Sequence, residues 1–230
     1  MKSALLTLLF GVSLGIADDI PGPLAEAGKL LFADDFERDE LGASWKSVIP
    51  TFTIAKGVMR GNQTRADHGA VGRVSLPMRD VIVDFRFQLA GATVNAVFDD
   101  KTFKGSHAGH ICRVAFTPRQ IRLGDDKEGI MRNDIFTMRR NPARKAEADK
   151  LLDGRGQLVR RTLEQNRWYQ ARIEIVGDEM RVSLDGEAIG WLKSPGLAHP
   201  TKSSFHFTVS GKEAKFDDVK ISEATKASGR

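Results

Sequence analysis

The sequence predicts an all-β protein, an antiparallel β-sandwich with one short helical insertion around 141–153. The stretch 80–89 is the strongest sign, because apolar residues fill every second position, as they do in a strand with one face in a core. These apolar residues are Val81, Val83, Phe85, Phe87 and Leu89. Further short strand patterns follow, and glycine–aspartate pairs such as Gly177-Asp178 and Asp185-Gly186 predict hairpin turns between them.

The order of the strand patterns indicates one domain over 30–223, preceded by a leader at 18–29 and followed by a tail at 224–230. Pro21 and Pro23 favour a leader without structure of its own. The predicted strands are 30–36, 52–55, 58–60, 70–76, 80–89, 93–98, 110–116, 120–123, 169–176, 179–184, 188–192, 204–209 and 214–222. The second and third of these form a hairpin.

The helical insertion lies within 130–161. Asn141 and Pro142 fit an N-cap and first helical residue, residues 143–152 are good helix formers, and Gly154 suits the C-terminal cap. Lysine and arginine outnumber aspartate and glutamate here, so the segment is either a polyanion-binding arm or a solvated helix. It carries no nucleic-acid motif and no interleaved aromatic residues, and no nucleic-acid partner is expected.

Residues 1–17 have the pattern of a secretory signal peptide. Lys2 supplies the positive start, residues 4–16 form an apolar run, and Gly15 and Ala17 place small residues before a cut at Asp18. The run is shorter than the ~20 residues that a transmembrane helix needs. We therefore expect an exported protein, periplasmic or extracellular, with no membrane span.

The net charge suggests a class of partner, and the cysteine content decides whether a disulfide can form. The chain holds 35 Lys and Arg against 30 Asp and Glu, a basic balance that favours acidic partners such as sulfated or uronic glycans. Cys112 is the only cysteine, so no intramolecular disulfide can form. Its alternation with Val114 and Phe116 predicts a buried, inert thiol.

The other face of the 80–89 strand is polar. It presents Asp84, Arg86 and Gln88 in a row. Two interpretations stay open, a solvated face of an antiparallel sheet and the floor of a ligand groove.

Several motifs together resemble a known family. They are Phe32-Ala33-Asp34-Asp35-Phe36-Glu37-Arg38, Trp45, the hairpin 52–58, the strand 80–89 and the closing strands 168–175, 182–186 and 216–221. In this order they resemble concanavalin A-like jelly rolls, and more narrowly the bacterial 3-keto-disaccharide hydrolase-type domain, also called the domain-of-unknown-function 1080 family. The resemblance implies a jelly-roll sandwich that is exported by planctomycete-type bacteria and binds or processes carbohydrate. The Glu-x-Asp-x-Glu strand of laminarinase-like sandwich enzymes is missing from the sequence, which disfavours a retaining laminarinase.

Two function hypotheses from different classes remain. One is a non-catalytic carbohydrate-binding, cell-envelope or adhesion module. The other is a hydrolase acting on a glycosidic bond of an oxidised disaccharide, in which a carboxylate and a histidine share acid–base work. Candidates for that work are Asp84, His110 and Asp126. The expected ligand-binding residues, which face a glycan or oligosaccharide, are Arg86, His107, His110, Asp125, Asp126, Lys127, His199, Lys202 and His206.

No metal site is expected at the pair His107 and His110, because no third ligand is adjacent in the sequence. No cofactor is expected either, with calcium as the alternative. Asp34-Asp35 and Asp217-Asp218 lie on the first and last strands and could contribute some of the six to eight oxygens that calcium takes. Polar caps at strand ends are the favoured explanation, because no calcium-loop pattern surrounds these residues.

Overall fold

The computed structural model describes residues 20–226, and these residues form the predicted antiparallel β-sandwich. The strands are β1 (Ala25–Asp34), β2 (Trp45–Ile49), β3 (Phe52–Ile54), β4 (Met59–Gly61), β5 (Ala70–Met78), β6 (Val81–Asp99), β7 (His110–Phe116), β8 (Gln120–Asp125), β9 (Gly156–Arg160), β10 (Trp168–Val176), β11 (Glu179–Leu184), β12 (Glu187–Lys193) and β13 (Lys202–Lys226). The helices are α1 (Asn133–Arg139) and α2 (Lys145–Lys150), with 3₁₀ turns at His107–Gly109, Pro142–Arg144 and Pro195–Ala198.

The two long strands β6 and β13 pair with each other along most of their length and belong to both layers of the sandwich. The second half of β6 pairs with β7, and the first half of β13 pairs with β5. Together with β2, β8 and β9 these make the front sheet. The first half of β6 pairs with β10, and the second half of β13 pairs with β1 and β4. Together with β3, β11 and β12 these make the back sheet.

Aromatic side chains from both layers meet in the core. Phe85 and Phe87 of β6 pack on Phe116 of β7 with ring centroids 6.0 and 4.7 Å apart. Phe207 and Phe216, from the two halves of β13, stack at 4.1 Å. All five rings are fully buried, and burying one such side chain stabilises the fold by about 1.5–3 kcal/mol. The predicted alternation of β6 is confirmed.

The sequence predicted breaks at 90–92 and 210–213, but both strands continue through them. Gly91 and Gly211 have positive φ angles, 74° and 102°, where the strands pass from one layer to the other. A Cβ on Gly211 would lie 2.5 Å from the Gly91 carbonyl oxygen. The glycines that suggest turns in the sequence therefore allow two strands to cross closely without losing their pairing.

The leader and tail boundaries differ from the prediction. β1 begins at Ala25, inside the expected leader, and Ala25 pairs with Lys226 in the expected tail. The Leu24 amide donates to Glu174 (2.6 Å), and Arg181 donates to the Pro21 carbonyl (2.9 Å). Since Glu174 and Arg181 are buried, they need such partners, and the leader backbone supplies them. The signal peptide at 1–17 and residues 227–230 lie outside the described part of the chain.

The insertion is helical as expected, but it is divided. Asn141 caps a 3₁₀ turn by accepting from the Ala143 amide, and α2 ends at Lys150 rather than at 152. The sequence did not predict α1 or β9. Ile135 and Met138 of α1 are buried, whereas β9 is half exposed along its length and has no strong apolar alternation.

Two further expectations concern Cys112 and the membrane. Cys112 is free and fully buried, and burial raises the pKa of its thiol, so the prediction of an inert core residue is confirmed. Between residues 20 and 226, none of the helices has the length and apolar character required to cross a bilayer.

Candidate functional site

A groove crosses the outer face of the front sheet. It consists of two adjoining cavities of about 490 and 430 Å³ that share Asn95 of β6 and Arg113 of β7. Strand alternation places these two side chains outward, while their neighbours Val94 and Val114 point into the core. The side-chain amide of Asn95 makes no hydrogen bond with the other described residues. One end of the groove is lined by the helical insertion and β9, and the other by β2, β5 and β13.

A cluster of three side chains lies in the groove wall where β6, β7 and β13 run side by side. His110 Nδ1 is 2.6 Å from Asp99 Oδ1. His206 Nδ1 is 2.9 Å from Asp99 Oδ2, but the two atoms are not aligned for a hydrogen bond. Arg73 of β5 contacts the same oxygen at 3.1 Å. We call Asp99, His110 and His206 the histidine cluster.

The cluster perturbs the protonation of its members. Burial by itself would raise the pKa of Asp99, but its contacts with His110 and His206 outweigh burial, so the pKa lies well below the usual range. Desolvation is the largest influence on His206 and lowers its pKa despite the neighbouring carboxylate. At neutral pH, Asp99 is therefore charged and His206 is neutral.

A second pair sits near the middle of the groove. Arg113 Nε donates to Asp126 Oδ2 at 2.6 Å, and Asp126 is fully buried. The other oxygen of Asp126, Oδ1, and Nη2 of Arg113 have no hydrogen-bond partner. Arg73 Nε and His206 Nδ1 also lack a hydrogen-bond partner. Four buried polar atoms along this groove therefore make no hydrogen bond, although buried polar atoms normally do.

The helical insertion supplies an aromatic rim. His107 stacks on Phe136 of α1 with centroids 4.1 Å apart and planes 9° from parallel. Burial lowers the pKa of His107, and the nearby His110 adds to this effect. The stacked pair borders the groove beside the histidine cluster.

The polar face of the 80–89 strand lies on the back sheet, away from this groove. Arg172 binds both oxygens of Asp84 at 2.7 and 3.0 Å. Arg86 contacts Asp217 and Asp218 at 3.2 and 3.3 Å. Arg86 is one of the expected ligand-binding residues, but it lies apart from the histidines, since the first half of β6 is in a different layer from their strands.

The residues that follow β12 contact Asp125 through one side chain and one backbone amide. Asp125 accepts from Ser194 Oγ (2.6 Å) and from the Gly196 amide (2.9 Å). The Lys202 ammonium is buried and donates to the carbonyls of Arg79, Leu197 and His199. Lys202 is therefore a structural clamp in this fold rather than a free cation at a rim.

His199 and Lys127 meet a different loop. His199 Nε2 is 3.1 Å from Asp100, and its ring packs against Phe103 at 4.9 Å. Lys127 Nζ lies 5.5 Å from the centre of the Phe103 ring. Neither residue lines the groove. Of the expected ligand-binding residues, the groove takes in His107, His110 and His206, with Asp125 and Asp126 under its other end.

The aspartates proposed for calcium are engaged by other groups. Asp34 accepts from Arg38, from Trp45 Nε1 (2.9 Å) and from the Phe36 amide (2.9 Å). Asp217 faces Arg86, and burial raises its pKa. A calcium ion would have to displace these partners, and the expectation of no cofactor, with calcium as the alternative, stays a prediction.

Sequence reasoning missed Asn95, Asp99 and Arg113 as site residues. The alternation of 110–116 already placed Arg113 opposite the core positions, so its outward direction could have been recognised. The position of Asp99 beside His206 could not, because the two are more than a hundred residues apart and meet only through the pairing of β6 with β13.

No protein-family model matches the chain, and no curated protein matches it. Its fold is similar to the carbohydrate-binding module CBM66 from Bacillus subtilis, at 12% identity and a TM-score of 0.51, covering 80% of this chain and 98% of that one. It is also similar to a protein of unknown function with a galectin-like fold from Bacillus subtilis, at 10% identity, a TM-score of 0.60 and coverage of 88% and 100%. A third neighbour is SCLam, a non-specific endo-β-1,3(4)-glucanase from family GH16, at 12% identity, a TM-score of 0.56 and coverage of 88% and 96%.

This chain is a jelly-roll β-sandwich. Identities this low establish the fold alone. The jelly roll expected from the sequence is confirmed.

Proposed function

We propose that this protein binds a carbohydrate in the groove of the front sheet. The observation that carries the proposal is the set of buried polar atoms without a hydrogen-bond partner along the groove, on Arg73, Arg113 and Asp126. A sugar hydroxyl can both donate and accept a hydrogen bond, so a saccharide can satisfy this mixture of donors and acceptors. The rim formed by Phe136 and its stacked histidine offers an apolar surface of the kind that ligand pockets use.

The charges in the groove favour a neutral saccharide. Arg73 is paired with Asp99 and Arg113 with Asp126, so the basic side chains at the histidine cluster and in the middle of the groove are largely neutralised, while Arg122 and Arg155 line its other end. This differs from the acidic partners that the overall basic balance suggested. The similarity in fold to the carbohydrate-binding module CBM66 supports a carbohydrate as the ligand.

The proposed setting is outside the cytoplasm, periplasmic or extracellular, as the signal-peptide pattern at 1–17 suggests. The proposed family is the 3-keto-disaccharide hydrolase-type domain, on the motifs described above.

A second candidate is hydrolysis of a glycosidic bond, favoured by the 2.6 Å contact between Asp99 and His110. A carboxylate that accepts from Nδ1 leaves Nε2 of the imidazole as a base. Asp126 is then the nearest of the expected acid–base carboxylates, since Asp84 lies on the back sheet.

The proposal is tested by a glycan array and a 3-keto-glucoside turnover assay on the chain from Asp18. We expect wild type to bind a neutral oligosaccharide, Asn95→Ala to weaken binding about tenfold, and Arg86→Gln on the back sheet to bind normally. Loss of one good hydrogen bond corresponds to about 0.5–1.5 kcal/mol. Turnover that disappears in His110→Gln while binding persists would support the hydrolase. If Asn95→Ala and Arg86→Gln weakened glycan binding equally, the ligand would lie outside the front-sheet groove.

A further inference from the structure

Two imidazoles and one carboxylate converge in the histidine cluster. One donor atom each from Asp99, His110 and His206 lies within 4.8 Å of the other two. The ligand atoms around a single zinc ion, bound at 2.0–2.2 Å, stand about 3–3.5 Å from one another. Small side-chain movements therefore suffice to bring the three atoms to one centre.

We propose that the histidine cluster is a binding site for a divalent transition-metal ion such as Zn²⁺. His206 is 2% exposed, and its Nδ1 faces the cluster without a hydrogen-bond partner. Imidazole nitrogens are ordinary ligands of such metals. The metal would bind a buried nitrogen that makes no hydrogen bond in the protein alone.

The entry of the metal has a simple proton balance. In the metal-free protein, His110 Nδ1 and Asp99 Oδ1 are 2.6 Å apart and share one proton. A divalent cation that enters between them takes the place of this proton, and the imidazole takes up a proton from solvent at Nε2, so His110 stays a neutral ligand and no net proton is released. Asp99 Oδ2 keeps its contact with Arg73 at 3.1 Å, which fixes the carboxylate as outer-sphere partners of metal ligands do.

The donor set selects the type of ion. Calcium and magnesium take oxygen ligands, whereas two imidazoles with one carboxylate suit zinc, iron, cobalt and related ions and leave coordination positions open. His110 and His206 both border the groove. The open positions would therefore face the groove and reach a water molecule or a ligand there.

In the sequence, His107 and His110 have no third ligand adjacent to them, and for that reason no metal was expected here. In the folded chain the other two ligands come from β6 and β13, and His107 instead stacks on Phe136. The inference does not rest on the carbohydrate proposal, because its test contains no glycan.

The test is calorimetric titration of the chelator-treated whole protein with ZnCl₂, repeated with CoCl₂ while cobalt absorption is recorded, and with MgCl₂ and CaCl₂. We expect one Zn²⁺ per chain, no binding of Mg²⁺ or Ca²⁺ at this site, and affinity at least tenfold weaker in His110→Gln and Asp99→Asn. His68→Gln is the matched control and should bind as wild type does, since its Nδ1 lies against the Gly69 carbonyl outside the cluster.

His110 is at the start of a strand and partly exposed, so His110→Gln keeps the test usable if a variant of the buried His206 does not fold. Circular dichroism confirms the fold of each variant before titration. Absence of Zn²⁺ binding to wild type at millimolar concentration would overturn the proposal. Binding that is unchanged in His110→Gln and Asp99→Asn, or equally weakened in His68→Gln, would overturn it as well.

Discussion

Phe207 shows how a single side chain joins the two layers. Its ring lies 4.1 Å from that of Phe216, 5.0 Å from Phe85, 4.9 Å from Phe205 and 6.0 Å from Trp45. These partners come from both sheets, and the ring is fully buried. Loss of this one side chain would open a cavity where the front and back sheets touch.

We expect Phe207→Ala to lower the free energy of unfolding by about 3–5 kcal/mol, through lost burial and the cavity left behind. Urea unfolding followed by tryptophan fluorescence measures it. Leu158→Ala removes a side chain that is 51% exposed and should change stability by less than about 0.5 kcal/mol. A cost below about 1 kcal/mol for Phe207→Ala would contradict the packing described here.

Asp34 links residue chemistry to acid stability. Burial would raise its pKa, but hydrogen bonds from Arg38, Phe36 and Trp45 lower it below the ordinary value of 3.8. A carboxyl whose pKa is depressed in the folded state contributes stability that is present above its unfolded pKa. This contribution is lost as the pH falls below that value towards the folded pKa.

We therefore expect Asp34→Asn to destabilise the protein at pH 6 and to lose most of this difference by pH 2. The free energies of unfolding of wild type and variant, measured by urea titration at both pH values, give the comparison. A difference that is independent of pH would show that the Asp34 carboxylate does not stabilise the fold through its charge.

At the scale of elements, the pairing of β6 with β13 through both layers places the groove on the outer face of the front sheet and the core on its inner face. Gly91 and Gly211 let the strands change layers while staying paired. This continuity brings the end of β6, which carries Asp99, next to the start of β13, which carries His206.

We expect Gly211→Ala to cost more than about 2 kcal/mol, since a positive φ and a Cβ 2.5 Å from the Gly91 oxygen both oppose it. Gly177→Ala also has a positive φ but meets no atom within 4 Å, so about 1 kcal/mol is expected there. Thermal and urea unfolding of the two variants measure both costs. Equal costs would mean that the close approach of the strands does not limit residue 211.

The strands were predictable where alternation is strong, and their continuity was not. The pattern of 80–89 predicted the buried face of β6 correctly, because apolar side chains must share one side of a strand. Glycine at 91 and 211 has the same appearance in a sequence whether it ends a strand or bends one. Residues 25–29 were assigned to the leader, because their pairing partner lies at the other end of the chain.

For the whole molecule, the sequence located the polar residues and the fold decided which of them meet. His107, His110, His206 and Asp126 were expected to bind ligand and lie at the groove. Arg86 and Lys202 were expected beside them, but the first is in the other layer and the second is a buried clamp. Composition and spacing carry no information about which face of which sheet a distant strand joins.

The central claim is that the front-sheet groove binds carbohydrate. The most direct measurement is a crystal structure of the protein soaked with the tightest-binding oligosaccharide from the array. We predict that the sugar lies over β6 and β7, with hydroxyls bound to Asn95 and Arg113 and a ring against Phe136. Sugar bound beside Arg86 on the back sheet, with an empty groove in front, would contradict the account.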